Sequence, residues 1–153
     1  MLQISYPVYA EFFIISKNLN CHEEHVMNDI EERLKKAKTL LEAGLGEEAR
    51  MILLEVLTED PNNLTAMLIL GGVYFYEEKY PEAEMIYERL ILAEPGVGML
   101  SIALFNTLWK QGRFEEAADE IRRFISIADT VQERETIAKY AEISKNIAEQ
   151  KSE

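Results

Sequence analysis

The residues with the most chemical potential lie near the N-terminus, in the run Cys21-His22-Glu23-Glu24-His25. On a helix, Cys21 and His25 are four residues apart and share a face. Thiolate, imidazole and carboxylate are all zinc-ligand types. The spacing does not suit the zinc-binding His-Glu-x-x-His pattern, because His25 follows His22 by three and Val26 stands at four. The chain has no third histidine, so carboxylates would have to complete a closed site. The run reads instead as an acidic helix start. Asn20 and Glu23 have capping-box spacing, and the carboxylates suit the positive end of the helix dipole. No metal is expected.

The other carboxylates fall in pairs such as Glu47-Glu48, Glu115-Glu116 and Asp119-Glu120, which read as solvated helix faces. No Gly-rich phosphate loop and no Ser–His–Asp set with a supporting motif is present. The expectation is a protein that is not an enzyme and takes no cofactor. Its 28 acidic and 16 basic residues give a formal charge of −12. Such a surface repels phosphate backbones and anionic membranes, which excludes nucleic acid as a partner. A basic partner, or one docked by apolar contacts, fits better. The single cysteine rules out an internal disulfide. Residues 1–10 carry no basic residue, as a leader would require, and no uncharged run reaches the roughly 18 residues of a membrane helix. No membrane insertion and a cytoplasmic location are expected.

These side chains must be positioned by helices. With 48% hydrophobic and 29% charged residues, 153 residues suffice for one folded domain, read here as spanning 1–153. In the N-terminal block, Val8, Phe12, Ile15 and Leu19 fall on one helical stripe after Pro7. This predicts a helix over 6–19; the alternation of Leu2, Ile4, Tyr6 and Val8 leaves a strand over 2–8 as the alternative. A stripe through Val26, Ile30, Leu34, Ala37 and Leu41 predicts a helix over 21–43, ended by Gly44. A further helix over 47–58 stops before Pro61.

The centre of the chain is more specific. Met67, Leu70, Gly71 and Tyr74 form one packing face, followed by Ala83, Tyr87 and Pro95. Gly71 omits a side chain where a second helix comes close, Ala83 does the same on that second helix, and Tyr87 fills the space between. Shifting this pattern by 34 residues either way aligns Ala49, Ala83 and Ala117. It also aligns Leu53, Tyr87 and Ile121, then Val56, Leu90 and Phe124, then Leu40, Tyr74 and Leu108. Three repeats follow, at 30–63, 64–97 and 98–131. The third has Ser101 for Met67 and Phe105 for Gly71, which must widen the local helix crossing. Thr130 and Glu133 have capping-box spacing, and a stripe through Ile137, Tyr140, Ala141 and Ile147 predicts a polar-backed closing helix over 131–149.

A 34-residue helix–turn–helix period with these residues resembles the tetratricopeptide repeat (TPR) family. The resemblance covers about residues 30–131. It implies an all-α, TPR-like α-solenoid of three helix–turn–helix repeats, here with an N-terminal helix and a C-terminal capping helix. It also implies a protein-binding module. Two sets recur at the same period outside the core signature: Leu34, Leu68 and Ile102, and Leu41, Phe75 and Trp109. In TPR proteins such positions face the concave groove. All six are apolar and Tyr76 adds an aromatic edge, so the seven residues form the candidate partner-binding groove. It suits the apolar or amphipathic helix of a partner, or a second copy of the chain; the alternative is cover in cis by residues 2–19 or the closing helix. The layout of an apolar N-terminal helix, three repeats, a closing helix and acidic charge resembles the cytoplasmic chaperones of bacterial type III secretion that hold translocator proteins. The start at Cys21-His22-Glu23-Glu24 also resembles the chaperones of the needle subunit. Either would sequester an apolar helical segment until export. The alternative is a general TPR scaffold in an assembly pathway with no export substrate.

Overall fold

Apolar residues at helical spacing, interrupted by short polar turns, give seven consecutive helices and no strand among the described residues. A computed structural model describes the backbone of residues 21–150 and the side chains of 29–147. The helices are α1 (Cys21–Glu42), α2 (Gly46–Glu59), α3 (Leu64–Tyr76), α4 (Tyr80–Ala93), α5 (Gly98–Lys110), α6 (Phe114–Ile127) and α7 (Arg134–Gln150). The helix expected over 6–19 lies outside the described residues. The chain divides into two compact units between Ala66 and Met67.

In the first unit α1 packs against α2. Ile30, Leu34 and Ala37 are buried on α1, and Ala49, Leu53 and Val56 on α2. Arg33 ties the two helices polar side to polar side. Its Nη1 donates to Glu59 Oε1 at 2.9 Å, and Nη2 pairs with Asp29 at 2.8 Å. The guanidinium holds the Glu59 carboxyl below the usual carboxylate range, first through the hydrogen bond and then by charge.

In the second unit α3 to α7 pack in sequence. The α3–α4 contact is made where the glycine predicts it. A Cβ at Gly71 would stand 2.8 Å from Cε1 of Tyr87 and 3.2 Å from Cγ2 of Ile86. Ala83 is fully buried one turn before Tyr87, as Ala49 and Ala117 are on their own helices. A large residue at these points would overpack the pair.

The turn inside each repeat is built the same way three times. Gly44, Glu78 and Gly112, spaced 34 apart, all have positive φ, at 76°, 59° and 74°. Each closes the preceding helix with two hydrogen bonds. The N–H of Gly44, Glu78 and Gly112 donates to the carbonyl of Leu41, Phe75 and Trp109 at 3.0, 3.1 and 3.0 Å. The next N–H, of Leu45, Lys79 and Arg113, donates to Leu40, Tyr74 and Leu108 at 2.8, 2.9 and 3.0 Å. This is a Schellman closure, which needs a left-handed residue and therefore favours glycine. Glu78 carries the same geometry without it.

The closing helix starts at Arg134, later than the expected 131. Asp129, rather than Thr130, supplies the side-chain acceptor in the turn before it. Its Oδ1 accepts the N–H groups of Val131 and Gln132, both at 2.9 Å, and holds residues 130–133 in a turn. These backbone donors, Gln132 first, keep the Asp129 carboxyl below its ordinary range. The chain here meets the start of α5 so closely that a Cβ at Gly98 would collide with the side chains of Glu133 and Thr136.

Candidate partner-binding face

The seven candidate residues sit on the first helices of the repeats, Leu34 and Leu41 in the first unit and the other five in the second. They are not equally available. Leu34, Leu68 and Ile102 are buried, and Leu41 and Phe75 are half-buried. Tyr76 is 78% exposed and Trp109 37%. The free part of the set is therefore aromatic and lies at the C-terminal ends of α3 and α5, just before the Schellman turns. Phe75 is braced there by edge contacts with Tyr76 and Tyr80, at 6.1 and 5.6 Å between ring centroids.

Trp109 belongs to a larger aromatic cluster. Phe105, one turn earlier on α5, stacks against it at 5.6 Å with 27° between the planes. Phe114, the first residue of α6, meets it edge-on at 4.6 Å and is 53% exposed. Phe105 also contacts Tyr140 of α7 at 5.8 Å, which in turn contacts Phe124 of α6 at 5.6 Å. The cluster has a buried interior of Phe105, Phe124 and Tyr140 and an exposed edge of Trp109 and Phe114. Such an edge can cover apolar surface of a partner and present the indole N–H as a donor.

Beneath the cluster is a polar network that the sequence reading missed. Glu120, expected on a solvated face with Asp119, is only 5% exposed. The expectation failed because α6 buries positions 117, 120, 121 and 124, a helical stripe that includes Glu120. Arg123 clamps it through Nε and Nη2, both at 2.6 Å. Ser101 donates to Glu120 Oε1 at 2.5 Å. With the serine proton spent on the carboxylate, the Tyr140 hydroxyl donates to Ser101 Oγ at 2.9 Å. Burial first, and the Glu120 charge after it, push the Tyr140 hydroxyl above its ordinary pKa. A signal was present: the 34-residue shift sets Glu120 against Ile52 and Ile86, and Ser101 against Met67. The remaining named carboxylates, Glu47, Glu48, Glu115, Glu116 and Asp119, are exposed.

A cleft of 280 Å³ lies over α5, floored by Leu104 and Leu108. Its carboxylates are largely engaged. Glu84 accepts from Gln111 Nε2 at 2.8 Å and from Arg113 Nη1 at 2.6 and 2.5 Å. Arg113 also pairs with Glu116, whose carboxyl it lowers. This is a brace between α4 and the α5–α6 turn.

The side chains of Cys21–His25 lie outside the described side chains. Among the described residues, no group of three or more His, Cys, Asp and Glu is placed to hold a metal ion. Among the same residues, no helix is long and apolar enough to cross a membrane.

Comparison with known proteins finds no matching family model and no matching curated protein. Solved structures do match. One is MamA AMB-1, at 22% identity and TM-score 0.60, covering 78% of this chain and 66% of that one. Another is a crystal structure of MamA, at 21% identity and TM-score 0.61, covering 84% of each chain. At this identity the likeness bears on fold. Together with the consecutive helix–turn–helix packing, it shows that this chain has an all-α, TPR-type α-solenoid fold.

Proposed function

We propose that this protein is a protein–protein interaction module whose first-helix aromatic residues hold an apolar or amphipathic helical segment of a partner. The observation that carries this reading is the exposure of Tyr76 and Trp109 beside apolar positions that recur every 34 residues without being needed by the core signature. Phe75, Tyr76 and Trp109 are the anchors. Leu68 and Ile102 lie at the supporting positions in the same unit, and Leu34 and Leu41 are their counterparts in the first unit. Aromatic anchors of this kind dominate binding hot spots. The acidic surface favours a partner with basic residues flanking its apolar face.

Within this class, the reading favoured by the apolar block 1–20 ahead of the repeats is a cytoplasmic export chaperone of the type III secretion kind. It would keep an aggregation-prone helix covered before export. The test begins with the full chain recovered from its own cells and mass spectrometry of the protein that accompanies it. Binding of that purified partner is then measured for Trp109→Ala and Phe75→Ala. Each should lose about 2 kcal/mol or more, roughly thirtyfold in affinity, with helix content unchanged. Added salt should change affinity only modestly if apolar burial dominates. Unchanged affinity in both folded variants would remove the aromatic face from the reading. A partner that is not exported would make the protein a general TPR scaffold.

A further inference from the structure

Trp109 does not hold its position alone. It is partly exposed in the last turn of α5, with the Phe114 ring set edge-on to it. Phe105 stacks on the indole, and Phe105 in turn contacts Tyr140 in a tilted arrangement, 5.8 Å between ring centroids. Tyr140 is fixed at both ends. Its ring is fully buried against Phe124, and its hydroxyl is bound by Ser101, which the Glu120–Arg123 pair holds in turn. The sequence of contacts therefore runs from a half-buried ion pair on α6, through Ser101 on α5 and Tyr140 on α7, to Phe105 and then to the partly exposed indole.

The third repeat departs from the other two at the residues that make this relay. Phe105 replaces the glycine of the middle repeat, Ser101 replaces Met67, and Glu120 stands where Ile86 does. In the middle repeat, Gly71 leaves room for the side chains of Tyr87 and Ile86 to come directly against α3. In the third, the corresponding volume is given to a ring that reaches α7. We propose that Tyr140 is a positioning residue for partner binding: through Phe105 it sets the orientation and the exposed face of Trp109. The closing helix thereby shapes the binding face, although Tyr140 is fully buried and touches no partner. This rests on the reading of Trp109 as a binding anchor.

Trp109 is the sole tryptophan, so its fluorescence reports the relay directly and needs no partner. The experiment uses the full chain with acrylamide as the probe. Tyr140→Met keeps an adaptable apolar side chain in the space and removes the ring. Tyr140→Phe keeps the ring and removes only the hydroxyl. Phe105→Leu breaks the next contact in the relay. The expected result is a shift of Trp109 emission to longer wavelength and steeper acrylamide quenching in Tyr140→Met and Phe105→Leu, with helix content retained. Tyr140→Phe should stay close to the parent, as a rescue by the conservative change. An unchanged emission and quenching in folded Tyr140→Met overturns the proposal. Should that variant not fold, an unchanged signal in Phe105→Leu overturns it instead. If Trp109→Ala leaves partner binding intact, the binding reading fails, while the fluorescence still decides the relay separately.

Discussion

Gly71 and Gly72 are neighbours in α3, yet a methyl group added at each meets different surroundings. At Gly71 it would stand 2.8 Å from Tyr87 Cε1, 3.1 Å from Cζ and 3.2 Å from Ile86 Cγ2. At Gly72 nothing among the described residues lies within 4 Å. Glycine inside a helix is worse than alanine by about 0.5–1 kcal/mol, because it loses more backbone freedom on folding. Gly72→Ala should therefore stabilise the protein by about that amount. Gly71→Ala has the same backbone gain but forces a buried tyrosine ring to move. Overpacking of this kind costs about 1–3 kcal/mol. The net effect is a loss of about 0–2.5 kcal/mol, opposite in sign to its neighbour. Urea unfolding followed by far-ultraviolet circular dichroism measures both. The midpoint should rise for Gly72→Ala and fall for Gly71→Ala, with the slope unchanged. If Gly71→Ala stabilises as much as Gly72→Ala at equal slope, the close α3–α4 approach is wrong, and with it the assignment of Gly71 to the packing face.

Glu78 carries a positive φ where its counterparts Gly44 and Gly112 are glycine, so Glu78→Gly should raise the unfolding midpoint; a left-handed non-glycine residue costs about 1–2 kcal/mol, partly offset by the extra freedom of glycine when unfolded. Glu120→Ala should destabilise by about 2–3 kcal/mol in denaturant titration, less than for a fully buried pair because the Arg123 side chain stays 35% exposed. Tyr140 gives a pH signature. Its hydroxyl has a raised pKa in the folded protein, so its contribution is complete below the ordinary value of 10.0 and is lost as pH rises above it. Tyr140→Phe should therefore flatten the alkaline limb of a stability–pH curve, and superposable limbs would contradict the burial of that hydroxyl.

Periodicity made the architecture readable. Ala49, Ala83 and Ala117 are all fully buried, as their 34-residue spacing requires, and Gly71 meets Tyr87. The same period marks what varies between repeats, but it does not say where the displaced volume goes. That is why Phe105 looks like a local disturbance in the sequence, whereas its ring packs on Tyr140, a residue of another helix. Glu120 misleads for a related reason. A charged residue beside another charged residue looks solvated in the chain, and only the helical angle places it inward. Asp129 rather than Thr130 organises the turn ahead of α7, because its carboxylate accepts two backbone N–H groups at once. Exposure at the binding positions is a tertiary quantity. Nothing in the residue types distinguishes buried Ile102 from partly exposed Trp109.

One feature of the turns explains how such positions can serve binding. Leu41, Phe75 and Trp109 each accept the N–H of the left-handed residue three positions later. The fold thus uses the backbone carbonyl of these residues, which any amino acid supplies. The side chain is left out of the closure and is not part of the repeat signature. A position held firmly by its main chain and loosely by its side chain can change from leucine to phenylalanine to tryptophan across three repeats without loss of fold. Specificity for a partner can then be altered residue by residue at fixed points. Trp109 is braced by both Phe105 and Phe114, as Phe75 is by Tyr76 and Tyr80, and a braced aromatic loses less freedom on binding than a free one. For that reason Trp109→Ala should cost more affinity than Tyr76→Ala, although Tyr76 is the more exposed of the two.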